Sequence, residues 1–309
     1  MSQPFDALLL VSFGGPEGPD EVMPFLRNVV RGRKVPDARL EAVAVHYHHF
    51  GGVSPLNGAC RRLVASLEEL LDIPVYWGNR NWSPFTVDAV RAMRDDGVRN
   101  AAAFVTSGFC SGPGCRRYRD NIELGRAEAG PDAPAIHKLP LFHDHPLFLR
   151  AMTERTAEAL QETEGARLLF TAHSIPQALA DSSLYEAQLR RAAAHVAATL
   201  GQDDWDLVWQ SRSGPPNQAW LEPDISEVLS SMSEGSVVVV PLGFISDHME
   251  VIWDLDTEAA AVARERGLHF VRAGSVDDHP LFLQMIAEQV ARPEAVSMSC
   301  EPVCLGRTD

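Results

Sequence analysis

The 309-residue chain predicts an α/β protein: parallel sheets flanked by helices, one such unit built twice in succession. Short apolar runs of β type alternate with helical patterns along its length, the mark of parallel sheets covered on both faces. Motifs of the first half return in the second, in order and at nearly constant spacing. The composition, 45% hydrophobic and 22% charged, is that of a globular chain, long enough for about two domains of roughly 150 residues.

The expected strands are residues 7–12, 74–77, 101–106 and 135–139, then 167–172, 206–209, 236–242 and 269–272. Helical patterns lie between them. Over residues 84–96, for instance, Ser83 is the expected N-cap and Pro84 the first helical residue. The repeat is read from four matches. His145-Pro-Leu-Phe-Leu149 returns as His279-Pro-Leu-Phe-Leu283, and Gly108-Phe109 as Gly243-Phe244, at offsets of 134 and 135. Trp77-Gly-Asn-Arg80 parallels Trp209-Gln-Ser-Arg212 at an offset of 132. The run from Leu8 to Pro16 parallels that from Leu168 to Pro176 at 160, which sets Phe13 opposite His173. The offset then drops to 129 at Arg61-Arg62/Arg190-Arg191, so the first half carries 31 extra residues before Arg61. The expected division is residues 1–150, with an inserted lid at about 17–57, and residues 151–309. An insertion after the first strand sits where open α/β sheets place their ligands.

Charge and cysteines narrow the function. With 27 Lys and Arg against 42 Asp and Glu, the net charge is −15, so a nucleic acid is not the expected partner. No uncharged apolar stretch reaches the roughly 18 residues that span a bilayer, and no secretory leader is visible, so a cytoplasmic protein is expected. Such a protein has little use for disulfides. Yet there are five cysteines, two of them within the last ten residues.

Among candidate residues, His173 follows the first strand of the second half, in Thr171-Ala-His-Ser-Ile-Pro176. A polar ring just past a buried strand points to the mouth of a site. Glu250, Asp254 and Glu258 stand at i, i+4 and i+8, an acidic ladder on one helix face. Met249, Val251, Ile252, Trp253 and Leu255 crowd around it. Carboxylates in such surroundings hold a proton or a cation, because unpaired charge away from water is costly. His46, His48 and His49 lack the i, i+4 spacing of ligands on a helix and read as structural. Phe13-Gly-Gly-Pro-Glu-Gly-Pro19 is glycine-rich but not a dinucleotide fingerprint.

Taken together, Leu10-Val-Ser-Phe-Gly-Gly-Pro16, Arg31-Gly-Arg33, Gly51-Gly-Val-Ser-Pro55, the His173 segment, Trp209-Gln-Ser211 with Trp220-Leu-Glu-Pro-Asp224, and Gly243-Phe-Ile-Ser-Asp-His-Met-Glu250 resemble the ferrochelatases over nearly the whole chain. The resemblance implies two similar Rossmann-like domains with a porphyrin cleft between them. It implies insertion of Fe²⁺, as substrate, into that porphyrin. Length and cysteine arrangement look most like the actinobacterial branch, for which the substrate is coproporphyrin III on the way to haem. By resemblance, His173 is the proton acceptor, with Glu250 opposite and Asp254 and Glu258 leading away as a conduit for protons or iron. Phe13 and Tyr118 pack near the macrocycle, and Arg31, Arg33 and Ser54 meet its carboxylates. Some family members hold a [2Fe–2S] cluster, which takes four thiolates. Cys115, Cys300 and Cys304 match its ligands, and the fourth is Cys110 or, as the alternative, Cys60. A transient partner would receive the product. Protoporphyrin IX as substrate, a chelatase for another tetrapyrrole such as cobalt with sirohydrochlorin, and a non-catalytic tetrapyrrole carrier are the rival readings. A carrier would not need both a base and an opposed acidic ladder.

Overall fold

The structure, a computed structural model, describes residues 4–215 and 217–292. Two four-stranded sheets, all parallel, form the centres of two compact units. Within the described residues the first unit comprises 4–106, 117–140 and 286–292, and the second 107–116 and 141–285 except Pro216.

In the first unit, β1 (Ala7–Ser12) is central and fully buried, as the apolar run Ala-Leu-Leu-Leu-Val demands when both faces are covered. After β1 come α1 (Val22–Val29), α2 (Asp37–His49) and α3 (Pro55–Leu70), then β2 (Val75–Asn79), α4 (Thr86–Asp95), β3 (Asn100–Val105), α5 (Arg117–Ala129) and β4 (Ala135–Lys138). The strand order is β2-β1-β3-β4. Leu9, Val11, Val90, Met93, Ala103 and Ile122 share one of its core clusters.

The second unit repeats this plan. It runs through α6 (Pro146–Leu160), β5 (Arg167–His173), α7 (Gln177–Asp181), α8 (Tyr185–Thr199), β6 (Trp205–Gln210), α9 (Ile225–Ser231) and β7 (Ser236–Val240). Then follow α10 (Met249–Trp253), α11 (Ala260–Glu265), β8 (His269–Arg272) and α12 (Pro280–Ala291). The order β6-β5-β7-β8 is the same topology with four added to each number. The duplication read from short motifs is thus a duplication of topology. The repeated histidines do the same work in both places: His145 caps α6 and His279 caps α12, each accepting the backbone N–H two residues on at 3.3 Å through Nδ1.

The boundaries differ from expectation in three places. A division at residue 150 would cut α6, and the chain instead passes between units at 140; residues 107–116 group with the second unit and 286–292 with the first. The helix expected from Pro84 with Ser83 as cap starts at Thr86, because Asn79 pairs with Phe85 and its N–H donates to the Pro84 carbonyl (2.7 Å). That keeps Pro84 and Phe85 extended beside β2, and Asp88 receives the Phe85 N–H instead. The inserted segment is tighter than 17–57: an antiparallel bridge of Glu17 with Val53 and a Ser54 N–H to Pro16 carbonyl bond (2.8 Å) close its neck. Its two helices, α1 and α2, pack through Phe25 and Tyr47, ring centroids 5.8 Å apart. No helix among the described residues is long and apolar enough to cross a membrane.

Candidate active site

His173 is the last residue of β5, half-buried. Its Nδ1 lies against the Ser174 carbonyl oxygen, and a carbonyl can only accept, so Nδ1 carries the proton. In the neutral ring Nε2 therefore presents a bare lone pair, 3.7 Å from Glu250 Oε2. The buried Tyr185 hydroxyl donates to the His173 carbonyl (3.1 Å), and Ser174 N–H donates to the Gln210 carbonyl (2.7 Å), so the backbone on both sides of the ring is tied down.

The acidic ladder is present but is not one regular α-helix. After α10 the chain makes a π turn over Asp254–Ala259 before α11 resumes. π turns inside helices are rare and cluster at functional sites. Glu250 and Glu258 are exposed rather than buried, because they stand on the solvent side of the Val251–Leu255–Ala259 core stripe. Asp254 is the enclosed member, receiving hydrogen bonds from Ser211 Oγ and Gln210 Nε2 (3.3 Å to the latter). Burial, with Glu250 and Glu258 adding to it, pushes its carboxyl up to about 7 against those two donors. It is thus a proton-holding carboxyl near neutrality. Glu258 receives the Trp253 indole N–H (2.9 Å). Among the described residues no three His, Cys, Asp or Glu side chains converge as a metal cage.

Four residues here escaped the sequence reading. His248 is half-buried beside Phe244, and burial lowers its pKa against the pull of Glu250. Gln210, buried, also donates Nε2 to the Glu250 carbonyl (3.3 Å), so one amide spans the turn from Glu250 to Asp254. Ser211 and Tyr185 complete the set. Ser211 sits at φ +64, an uncommon conformation for a residue other than glycine, and that aims its hydroxyl at Asp254. The signal for Gln210 and Ser211 was in the motif Trp209-Gln-Ser211; nothing in the sequence pointed to Tyr185.

The remaining expected residues lie in the first unit. Arg80 and Asn81 donate backbone N–H groups to the Ser12 and Phe13 carbonyls (2.9 and 3.0 Å), which sets the Arg80 guanidinium 5.5 Å from the Phe13 ring and 5.9 Å from the Tyr118 ring. Gly14 permits this path: at φ +85, an added Cβ would stand 2.8 Å from Asn79 Cβ. Tyr118 is buried, which raises its phenol pKa, while a hydrogen bond with Thr106 and the charge of Arg80 oppose that rise. Arg80 is the residue the sequence reading passed over; its charge is felt alongside those of Arg33 and Arg117. Arg31 and Arg33 are exposed, with Arg31 bonded to Asn28. Ser54 is buried as the N-cap of α3, its Oγ accepting the Leu56 N–H, which gives it a structural task. His46, His48 and His49 lie in the last turn of α2.

Cys60, Cys110 and Cys115 are buried. Cys110 and Cys115 share the segment 107–116 of the second unit, Cys115 in a π turn over Gly112–Arg116, and Cys60 lies in α3 of the first. Cys300 and Cys304 lie outside the described residues.

Known proteins identify the family. The profile of the ferrochelatase family matches residues 5–293. A ferrochelatase of Rhodopirellula baltica is 50% identical over 297 residues, covering 92% of this chain and 84% of that protein. A coproporphyrin III ferrochelatase of Mycolicibacterium smegmatis is 49% identical over 302 residues, covering 93% and 89%. Among solved structures, SirB from Bacillus subtilis with Fe³⁺ superposes with a TM-score of 0.56 at 13% identity, covering 95% of this chain and 96% of that one. CbiX, the terminal enzyme of siroheme biosynthesis in denitrifying bacteria, gives 0.52 at 16%, covering 96% and 100%; both show the shared fold. With a base whose lone pair is bared beside a carboxylate, on a duplicated Rossmann-like frame, the chain belongs to the ferrochelatase family, enzymes that insert Fe²⁺ into a porphyrin.

Proposed function

We propose that the protein inserts Fe²⁺ into coproporphyrin III, with His173 as proton acceptor and Glu250 as its partner. Coproporphyrin III is the substrate in the names of relatives such as those of Mycolicibacterium smegmatis and Mycobacterium ulcerans, 49% and 48% identical. The observation that carries the mechanism is the Nε2 lone pair of His173 standing 3.7 Å from Glu250. Insertion exchanges two pyrrole N–H protons for one Fe²⁺, with no change of oxidation state. Nε2 takes one proton and becomes imidazolium, which the Glu250 carboxylate stabilises. Imidazole is the side chain most often used to exchange a proton in such a step. The second proton leaves along the carboxylates, where Asp254 exchanges one near pH 7. Imidazole and carboxylate bind Fe²⁺ loosely enough to release it, where thiolates would retain it. Phe13 and Tyr118 are assigned to pack near the macrocycle, and Arg31, Arg33 and Ser54 to its carboxylates.

The reading carries further assignments. A [2Fe–2S] cluster is assigned to Cys115, Cys300, Cys304 and Cys110, with Cys60 as the alternative fourth ligand. Cys110 is favoured because it shares a unit and a loop with Cys115. Iron coproporphyrin must still be converted to haem, so a cytoplasmic location and a transient handover partner fit the same reading. The test is anaerobic turnover of Fe²⁺ with coproporphyrin III or protoporphyrin IX. Wild type should metallate the former faster, and His173→Ala should bind it yet lose at least about 100-fold in rate. Wild type that binds either porphyrin without metallating it would sink the reading.

A further inference from the structure

The segment bearing Glu250 and Asp254 is held by a residue outside the site. Arg272 ends β8, and its side chain is 17% exposed. Through Nη1 and Nη2 it donates to both Asp247 oxygens, at 3.2 and 2.9 Å. Through Nε and Nη2 it donates to both Asp256 oxygens, the second at 3.1 Å. Ser275 Oγ adds a bond to Asp247 (2.8 Å), and the Asp277 N–H donates to the Ile245 carbonyl (2.6 Å). One planar guanidinium is therefore bidentate to two carboxylates, a geometry that an ammonium cannot copy.

The placement of those carboxylates gives the arrangement its meaning. Asp247 lies three residues before Glu250, and Asp256 lies inside the π turn, two residues after Asp254. A π turn is a less favoured backbone than the α-helix on either side of it, so it persists where surrounding contacts hold it. Here Ser211 and Gln210 hold it through Asp254, and Arg272 holds it through Asp256. Arg272 also secures the entry to α10, the turn from which Glu250 reaches His173.

We propose that Arg272 is a positioning residue for metal insertion: by spanning Asp247 and Asp256 it keeps the π turn and the start of α10 in the one arrangement that sets Glu250 against His173 and Asp254 against Ser211. This rests on the metal-insertion reading above. Loss of the clamp lets the turn relax toward α-helix, which rotates the residues beyond it. Misplacement of catalytic groups by about 1 Å costs on the order of 100-fold in rate. Porphyrin binding draws on other surfaces and should be spared.

The test compares wild type, Arg272→Gln and Arg272→Lys in anaerobic Fe²⁺ insertion, with coproporphyrin III affinity read from fluorescence quenching on the same samples at a temperature where all are folded by circular dichroism. We expect Arg272→Gln to lose between about 10- and 100-fold in kcat with porphyrin Kd within about twofold of wild type. Arg272→Lys, which keeps the charge but not the fork, should recover only a small part of that loss. Should Arg272→Gln misfold, Asp256→Asn, which frees the π turn while leaving the Asp247 fork, should show the same kcat loss. Wild-type turnover in Arg272→Gln, a loss in Kd equal to that in kcat, or full recovery by Arg272→Lys would overturn the assignment. Wild type without turnover would instead overturn the metal-insertion reading itself.

Discussion

The role proposed for His173 depends on neighbours that choose its tautomer. The Ser174 carbonyl claims the Nδ1 proton, and the Nε2 lone pair is what remains for chemistry. Asp254 shows the complementary case of a carboxyl kept from ionising by burial and by two like charges. Its folded value of about 7 lies above the unfolded one, so the native chain holds a proton there that the unfolded chain has released. Stability contributed by that proton is present below about pH 4 and is lost as pH rises through 7. Asp254→Asn should therefore remove part of the fall in stability between pH 5 and 8, a slope of at most about 1.4 kcal/mol per pH unit. Urea unfolding of the metal-free variant and wild type across that range measures it. Parallel stability curves for the two would mean that Asp254 is ionised throughout.

Helices α6 and α12 each follow a histidine whose ring nitrogen, rather than a hydroxyl or carboxylate oxygen, caps the first turn. A nitrogen that accepts a backbone N–H must be unprotonated. His279, which turns its Nε2 to Glu154 at 3.3 Å, has a lowered pKa through burial and the charge of Arg155, with Glu154 and Glu158 opposing. Its folded value lies below the unfolded one, so its contribution is complete above about pH 6.5 and is lost as pH falls from there through the folded value. His279→Asn supplies a cap that does not titrate and should flatten stability in that acid window. His279→Ala should cost about 1 kcal/mol at pH 7.5. Thermal melts at pH 5.0 and 7.5 separate the two effects, and an Asn variant as acid-sensitive as wild type would place the sensitivity elsewhere.

The molecule as a whole is one βα plan executed twice, after which the copies diverged at their strand ends. Where β1 leads to Phe13, β5 ends on His173, so equivalent strand ends carry a phenyl ring in one copy and an imidazole in the other. The helices that follow β3 and β7 both contain π turns, with Cys115 in one and the acidic residues Asp254 and Glu258 in the other. The cysteines make the same division testable. Anaerobically purified wild type should show visible charge-transfer absorbance and labile sulfide. Cys115→Ser and Cys110→Ser should each abolish both, and Cys60→Ser should leave them unchanged. A colourless, sulfide-free wild type would remove the cluster from the assignment, and loss of both signals in Cys60→Ser alone would exchange the fourth ligand.

Strand positions and the repeat were legible along the chain, and the family resemblance put Glu250 opposite His173. Buried parallel strands require continuous apolar runs, such as the four valines of β7, and motifs at constant spacing survive as a linear record of duplication. What the linear record could not hold was anything set by contacts between distant segments. The start of α4 depends on Asn79 pairing with Phe85, and the solvent exposure of Glu250 on what packs against Val251 and Leu255. Spacing alone made the ladder a regular α-helix; the π turn has partners that spacing does not show, Gln210 and Ser211 on Asp254 and Arg272, sixteen residues beyond Asp256, reaching it from β8. The kinds of groups that do the chemistry are local, carried by residue type and order. Their tautomer, protonation and aim are collective, because each depends on donors and charges that only folding brings within reach.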